Sequence, residues 1–201
     1  MFISKYENRS NLTLSKRVNL EIMKNLIAVR ILREQLECKS SGIEKQPGVY
    51  RWWFKKEAAQ TLLENLPLIQ EELAKIQTRD IDGEEYWCLY FGISKDMLGR
   101  AKWHITQKHS QSAVKHGTLS TLRNTLGALL GEDMSTSRDK VNEFMDDNCY
   151  WEWDYSKTPK AVENAELSSV DKCYPLNIQE NKTVSNIVRK EITSLRKSHK
   201  K

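Results

Sequence analysis

No stretch of the 201-residue chain approaches the roughly 20 consecutive apolar residues that a spanning helix requires, so a membrane protein is not expected. The first nine residues contain no hydrophobic segment of signal-peptide length, and the expected location is cytoplasmic. Cysteine is also scarce. Cys38, Cys88, Cys149 and Cys173 are far apart and form no C-x-x-C pair, which excludes a zinc site built from two such pairs. A disulfide framework is not expected at this length, and reduced thiols fit an intracellular chain. What is present in quantity is charge, 29% of residues, with a mean hydropathy of −0.65. The length suits one domain, with room for an appendage.

The net charge of +5 is modest but unevenly placed. The last twenty residues hold Lys182, Arg189, Lys190, Arg196, Lys197, Lys200 and Lys201 against Glu191 alone. Such an excess favours a polyanion through phosphate neutralisation. A solvated tail that aids solubility is the plain alternative.

Hydrophobic periodicity divides the chain. Val18, Ile22, Leu26, Val29, Leu32 and Leu36 recur at three and four, predicting an amphipathic helix over residues 14–38 that packs or binds a partner. After a Ser/Gly/Pro loop, residues 48–54 read as a strand. Alternation puts Tyr50, Trp52 and Phe54 on one face and Val49, Arg51 and Trp53 on the other. Residues 55–77 read as one or two helical segments restarting at Pro67, and residues 79–83 as a turn. A second strand over residues 86–93 should carry Tyr90 on the same face as Tyr86 and Cys88.

The helix from Asp96 buries Met97, Leu98, Ala101 and Ile105, and Arg100, His104 and Lys108 form a stripe beside that face. Residues 116–131 predict a helix capped by Thr118 or Ser120. Arg123 nearby would help its N-terminus hold a phosphate, although capping alone explains the hydroxyls. A further helix over residues 137–147 leads to a third strand, residues 149–155, with Trp151, Trp153 and Tyr155 on one face. A basic amphipathic helix starts near Val184.

The helix predicted over residues 159–174 carries the strongest single-residue signal. At about 100° per residue, Val162, Val170 and Cys173 share a face with Glu166 in their midst. An ionised carboxylate there costs several kcal/mol unless a cation, donors or a metal meets it. An arginine partner would suffice. Glu163, at the edge of the same face, reads as an ordinary surface acid.

The order of these motifs resembles the GIY-YIG nuclease family. Gly48-Val49-Tyr50 is similar to the first tripeptide and Tyr90-Phe91-Gly92 to the second. Arg100 follows Tyr90 by ten residues, and His104 comes one turn later. Glu166, nine residues before Pro175 and followed by Asn177, resembles the family's metal-binding glutamate and its downstream asparagine. The resemblance implies an α+β fold with a small three-stranded antiparallel sheet flanked by helices. The nuclease-like domain would span residues 47–178, with a helical insertion over 55–82. Residues 1–46 would be an N-terminal extension and 179–201 a basic C-terminal helix.

It also implies phosphodiester hydrolysis with Mg²⁺ or another divalent cation such as Mn²⁺. Glu166 would ligate the metal, and Arg100 would stabilise the phosphate. Tyr50, with Tyr90 or His104, would handle the water's proton. Lys108, Arg123 and Asn177 are candidate substrate contacts. The expected partner is DNA, and a homodimer is one way for so small a sheet to read a long site. Two rival readings are a catalytically inactive nucleic-acid-binding module of the same fold and a structural protein whose N-terminal helix mediates oligomers.

Overall fold

The aromatic runs build the centre of one antiparallel sheet. In the computed structural model, residues 25–179 and 181–200 are described. They form β1 (Asn25–Ala28), α1 (Val29–Glu37), β2 (Gly48–Lys55), α2 (Lys56–Leu63), α3 (Gln70–Ala74), β3 (Thr78–Ile81) and β4 (Glu84–Ser94). After these come α4 (Met97–Ile105), α5 (Gln111–Lys115), α6 (Thr121–Leu129), α7 (Arg138–Asn148), β5 (Cys149–Tyr155), α8 (Pro159–Leu167) and α9 (Asn186–Ser198). The strand order is β1-β5-β2-β4-β3, and helices flank the sheet. No helix among the described residues is long and apolar enough to cross a membrane.

The α+β class agrees with expectation, but the sheet has five strands rather than three. β2, β4 and β5 are the three expected strands; β1 and β3 are four-residue edges. β1 falls inside the segment predicted as one long helix. Its backbone pairs with the open edge of β5, Leu26 opposite Glu152, and Asn25 Nδ2 donates to Trp153 O. Sheet pairing there outweighs a helical spacing that only Leu26 contributes to; residues 14–24 of that prediction lie outside the described residues. β3 occupies most of the predicted turn. Asp82 and Gly83, both at positive φ, form the two-residue reversal of a β3–β4 hairpin, as an Asp-Gly pair does.

The sheet is buried on both faces. Tyr50, Trp52, Phe54 and Trp151 face the larger core with Leu122 and Leu126 of α6 and Val188 and Ile192 of α9. Val49, Trp53, Cys88 and Phe91 face a smaller one with Leu167 and Tyr174. A bulge shifts the β2–β4 register between Trp52 and Trp53, so Tyr90 opposes Trp52 and Cys88 opposes Trp53. Tyr90 therefore lies on the Tyr50 face, opposite to Tyr86 and Cys88. One extra residue turns the side chain over, against the strict alternation expected from sequence. Of the four cysteines, all free, only Cys38 is exposed.

Candidate active site

The paired strands fix two tyrosines. Tyr50 is opposite Gly92 and only 1% exposed. A Cβ on Gly92 would overlap the Tyr50 ring at Cζ and Oη, so the glycine makes room for the phenol. At Gly48 a Cβ would lie 2.5 Å from Asp154 O and 2.8 Å from Met97 Cγ, which closes β2 against β5 and the start of α4. Half-buried Tyr90 stacks beside Tyr50, with ring centroids 6.2 Å apart.

α4 brings the basic groups. Asp96 caps it by accepting the Gly99 N–H at 2.8 Å, and Ser94 Oγ donates to Asp96 O at 2.7 Å, so the turn after β4 is hydrogen-bonded throughout. Arg100 is half-buried, with its guanidinium 4.6 Å from the Trp103 ring centroid. It is close enough to favour ionisation of both tyrosines and to oppose a charge on His104.

His104 has no exposed surface and lies between two hydroxyls, with Nε2 2.8 Å from Tyr50 Oη and Nδ1 2.7 Å from Ser120 Oγ. Ser120 caps α6 by accepting the Arg123 N–H at 3.5 Å, and its own buried hydroxyl has His104 Nδ1 as acceptor. With the Ser120 hydroxyl donating to Nδ1, the His104 proton is carried on Nε2 and directed at the Tyr50 oxygen; the other tautomer reverses both bonds. Burial, reinforced by Arg100 and Arg123, holds His104 well below the usual histidine range, so it is neutral at pH 7.

Burial also raises both phenols. For Tyr50 the neighbouring Tyr90 adds to the shift and Arg100 opposes it; for Tyr90 the bond with Tyr50 and then Arg100 oppose it.

Three predicted substrate residues lie elsewhere. α4 ends at Ile105, so Lys108 is an exposed residue beyond the helix and not part of its stripe. Arg123 is fully buried. Its guanidinium donates to His104 O at 2.9 Å, Asn142 Oδ1 at 2.6 Å and His109 Nε2 at 2.8 Å, closing the C-terminal end of α4. Burial lowers its pKa to about 9. Asn177 binds the Phe91 backbone on both sides, accepting its N–H at 2.8 Å and donating to its C=O at 2.7 Å. It clamps β4 at the centre of the Tyr90-Phe91-Gly92 tripeptide, with its amide committed.

The carboxylates also differ from expectation. Glu166 is 3% exposed, as its position suggested, but for another reason. α8 stops at Leu167; Val170 is 77% exposed and Cys173 pairs with Ile76, so the apolar helix face invoked for Glu166 does not exist. Glu166 instead meets Lys172 Nζ at 2.7 Å, Arg51 at 3.4 Å and the Tyr174 hydroxyl. Arg51 and Tyr174 belong to the face away from Tyr50. Arg51 also approaches Glu152 at 3.7 Å, and Arg79 and the Trp53 indole complete the Glu152 partners at 2.8 and 2.9 Å. Glu166 belongs to a buried ionic network.

Glu163, one turn earlier, is the carboxylate that acts electrostatically on both Tyr50 and Tyr90. It lines an open cleft of about 580 Å³ with Asn164, Ser168, Lys182 and Arg189, and pairs with Lys160 at 2.8 Å. Sequence spacing treated it as a surface acid. For the second role of Ser120, beyond capping, the sequence carried no signal.

A family model, the GIY-YIG catalytic domain, matches residues 48–198. The chain belongs to the GIY-YIG family. No curated protein and no solved structure shows significant similarity to it. The match takes in α9, whose Val188 and Ile192 are buried.

Members of this family generally use a divalent metal. No group of three or more His, Cys, Asp or Glu side chains capable of holding an ion occurs among the described residues. One carboxylate completed by waters and substrate phosphate is a common Mg²⁺ arrangement, and Glu163 in its open cleft fits it. Glu166, enclosed by two cations and a phenol, does not.

Proposed function

We propose that this GIY-YIG protein is a metal-dependent DNA endonuclease acting in the cytoplasm. The reading rests on one observation above all: Tyr50, Tyr90, Arg100 and His104 share one face of the sheet region, with Glu163 at its rim. Glu163 would hold Mg²⁺ or Mn²⁺, whose chemistry is to polarise the phosphate and acidify bound water. Arg100, unpaired with any carboxylate among the described residues, would bind the scissile phosphate and offset its growing charge.

A water oxygen attacks phosphorus and the P–O bond to the leaving oxygen breaks. The water's proton passes to a phenol of the tyrosine pair that Arg100 and the metal would have to ionise against the effect of burial, and the leaving oxygen takes its proton from solvent. His104, as a neutral Nε2–H donor, stabilises charge on Tyr50 rather than accepting the proton. The small sheet would reach a long DNA site through a homodimer.

A second reading, an inactive DNA-binding module, draws on the Lys160–Glu163 ion pair, which occupies the carboxylate. Plasmid nicking decides between them. We expect Mg²⁺-dependent nicking that EDTA abolishes and that falls at least about 100-fold in Arg100→Ala. Salt-sensitive DNA binding with no nicking under any divalent ion would favour the inactive module.

A further inference from the structure

α9 is anchored by Val188 and Ile192, both fully buried in the larger core. Arg189 and Arg196 stand seven residues apart on it, so they point within about 20° of each other and about 10.5 Å apart along the axis. Both are half-buried, and each has a buried Nε with no hydrogen-bond partner. Arg189 lines the cleft beside Glu163 together with Asn181 and Lys182. It also borders a shallower hollow of about 370 Å³, where Lys190, Thr193 and Lys197 follow. Arg196, at the other end, is within electrostatic reach of Tyr90.

The acids nearby are already engaged, Glu163 by Lys160 and Glu166 by Arg51 and Lys172. Within α9 itself Glu191 is the only acid. These α9 cations therefore have no carboxylate partner among the described residues. Partly desolvated guanidiniums with spare donors suit phosphates, which accept several hydrogen bonds at once.

We propose that this edge of α9 binds the backbone of the strand being cut. Arg196 takes a phosphate beside Tyr90, and Arg189 with Lys182 takes another further along the same strand, in the cleft next to Glu163. This rests on the endonuclease reading for which strand is held, but not for the contacts themselves. The basic helix is then a built wall of the site rather than a solubilising tail.

The test is anisotropy of a labelled 20-base-pair DNA duplex, titrated at several NaCl concentrations with full-length Glu163→Gln protein to block cutting. Added to that background, Arg189→Ala and Arg196→Ala should each weaken binding about tenfold and lower the log K against log[salt] slope by about 0.9. Lys115→Ala, an exposed cation on α5, should leave both nearly unchanged. Arg189→Lys and Arg196→Lys should keep the slope, which separates lost charge from lost fold. Equal slopes in the Arg→Ala variants and the parent, or no DNA binding at all, would overturn the proposal. Nicking by wild type with unaltered slopes would sink this inference and leave the endonuclease reading standing. Altered slopes without nicking would do the reverse.

Discussion

At the scale of single residues, two glutamates one turn apart have opposite tasks. Glu166 balances Arg51 and Lys172 in a buried network, so Glu166→Ala takes the carboxylate from Lys172 and leaves Arg51 with Glu152 alone and the Tyr174 hydroxyl with Gln77 alone. We expect it to lose about 3–5 kcal/mol of unfolding free energy in urea titrations. Glu163→Gln, on the cleft rim, should stay within about 0.5 kcal/mol of wild type in the same assay. The sequence placed the right kind of residue in the wrong environment because it extended a helix seven residues past its end.

His104 gives a second, independent prediction. Its folded pKa is depressed below that of the unfolded chain, so the unfolded state binds the extra proton as pH falls. Stability is therefore intact above about pH 6.5 and is lost below it, by about 1.4 kcal/mol per pH unit from this residue. Half-buried His109, lowered to about 4, acts in the same direction. Thermal midpoints measured from pH 8 to 5 should fall accordingly, less steeply in His104→Gln. Nitrogen-15 correlation spectra should find His104 protonated at Nε2. An Nδ1–H tautomer would reverse the Ser120 bond, with the ring donating, and leave Nε2 as an acceptor, restoring His104 as a candidate base.

At the scale of elements, the two glycines carry the strand pairing into the site. Gly92→Ala should displace the Tyr50 ring, and Gly48→Ala should push against backbone at Asp154, which cannot swing aside. Both should cost about 1–3 kcal/mol by denaturation, with Gly48→Ala the more severe. The central strands were legible because Tyr, Trp and Phe cluster in runs that only a buried strand accommodates. The edge strands were not, since four residues hold too little periodicity and Leu26 fits a helix as well as a strand. Nor could alternation reveal a bulge whose extra residue decides which way Tyr90 points. The Asn177 clamp on Phe91 joins residues 86 positions apart and leaves no local trace.

At the scale of the whole molecule, one sheet separates two kinds of polar interior. One face holds the tyrosine pair, the neutral histidine and Arg100; the other holds Arg51, Glu152 and Glu166 in mutual compensation. The charge asymmetry of the sequence flagged the C-terminal helix, but only packing shows that its Arg189 borders the same cleft as Glu163. If a phenolate takes the water's proton, cleavage should keep rising above about pH 8, with no limb governed by a group near 6.5. A rate that levels off above about pH 7 would instead assign the base to an imidazole.

The most direct test of the account is the single-turnover cleavage rate of Glu163→Gln in saturating Mg²⁺, compared with wild type at equal folded fraction. A fall of at least about 100-fold, with the urea midpoint unchanged, is the predicted result. Cleavage at the wild-type rate by folded Glu163→Gln would contradict it.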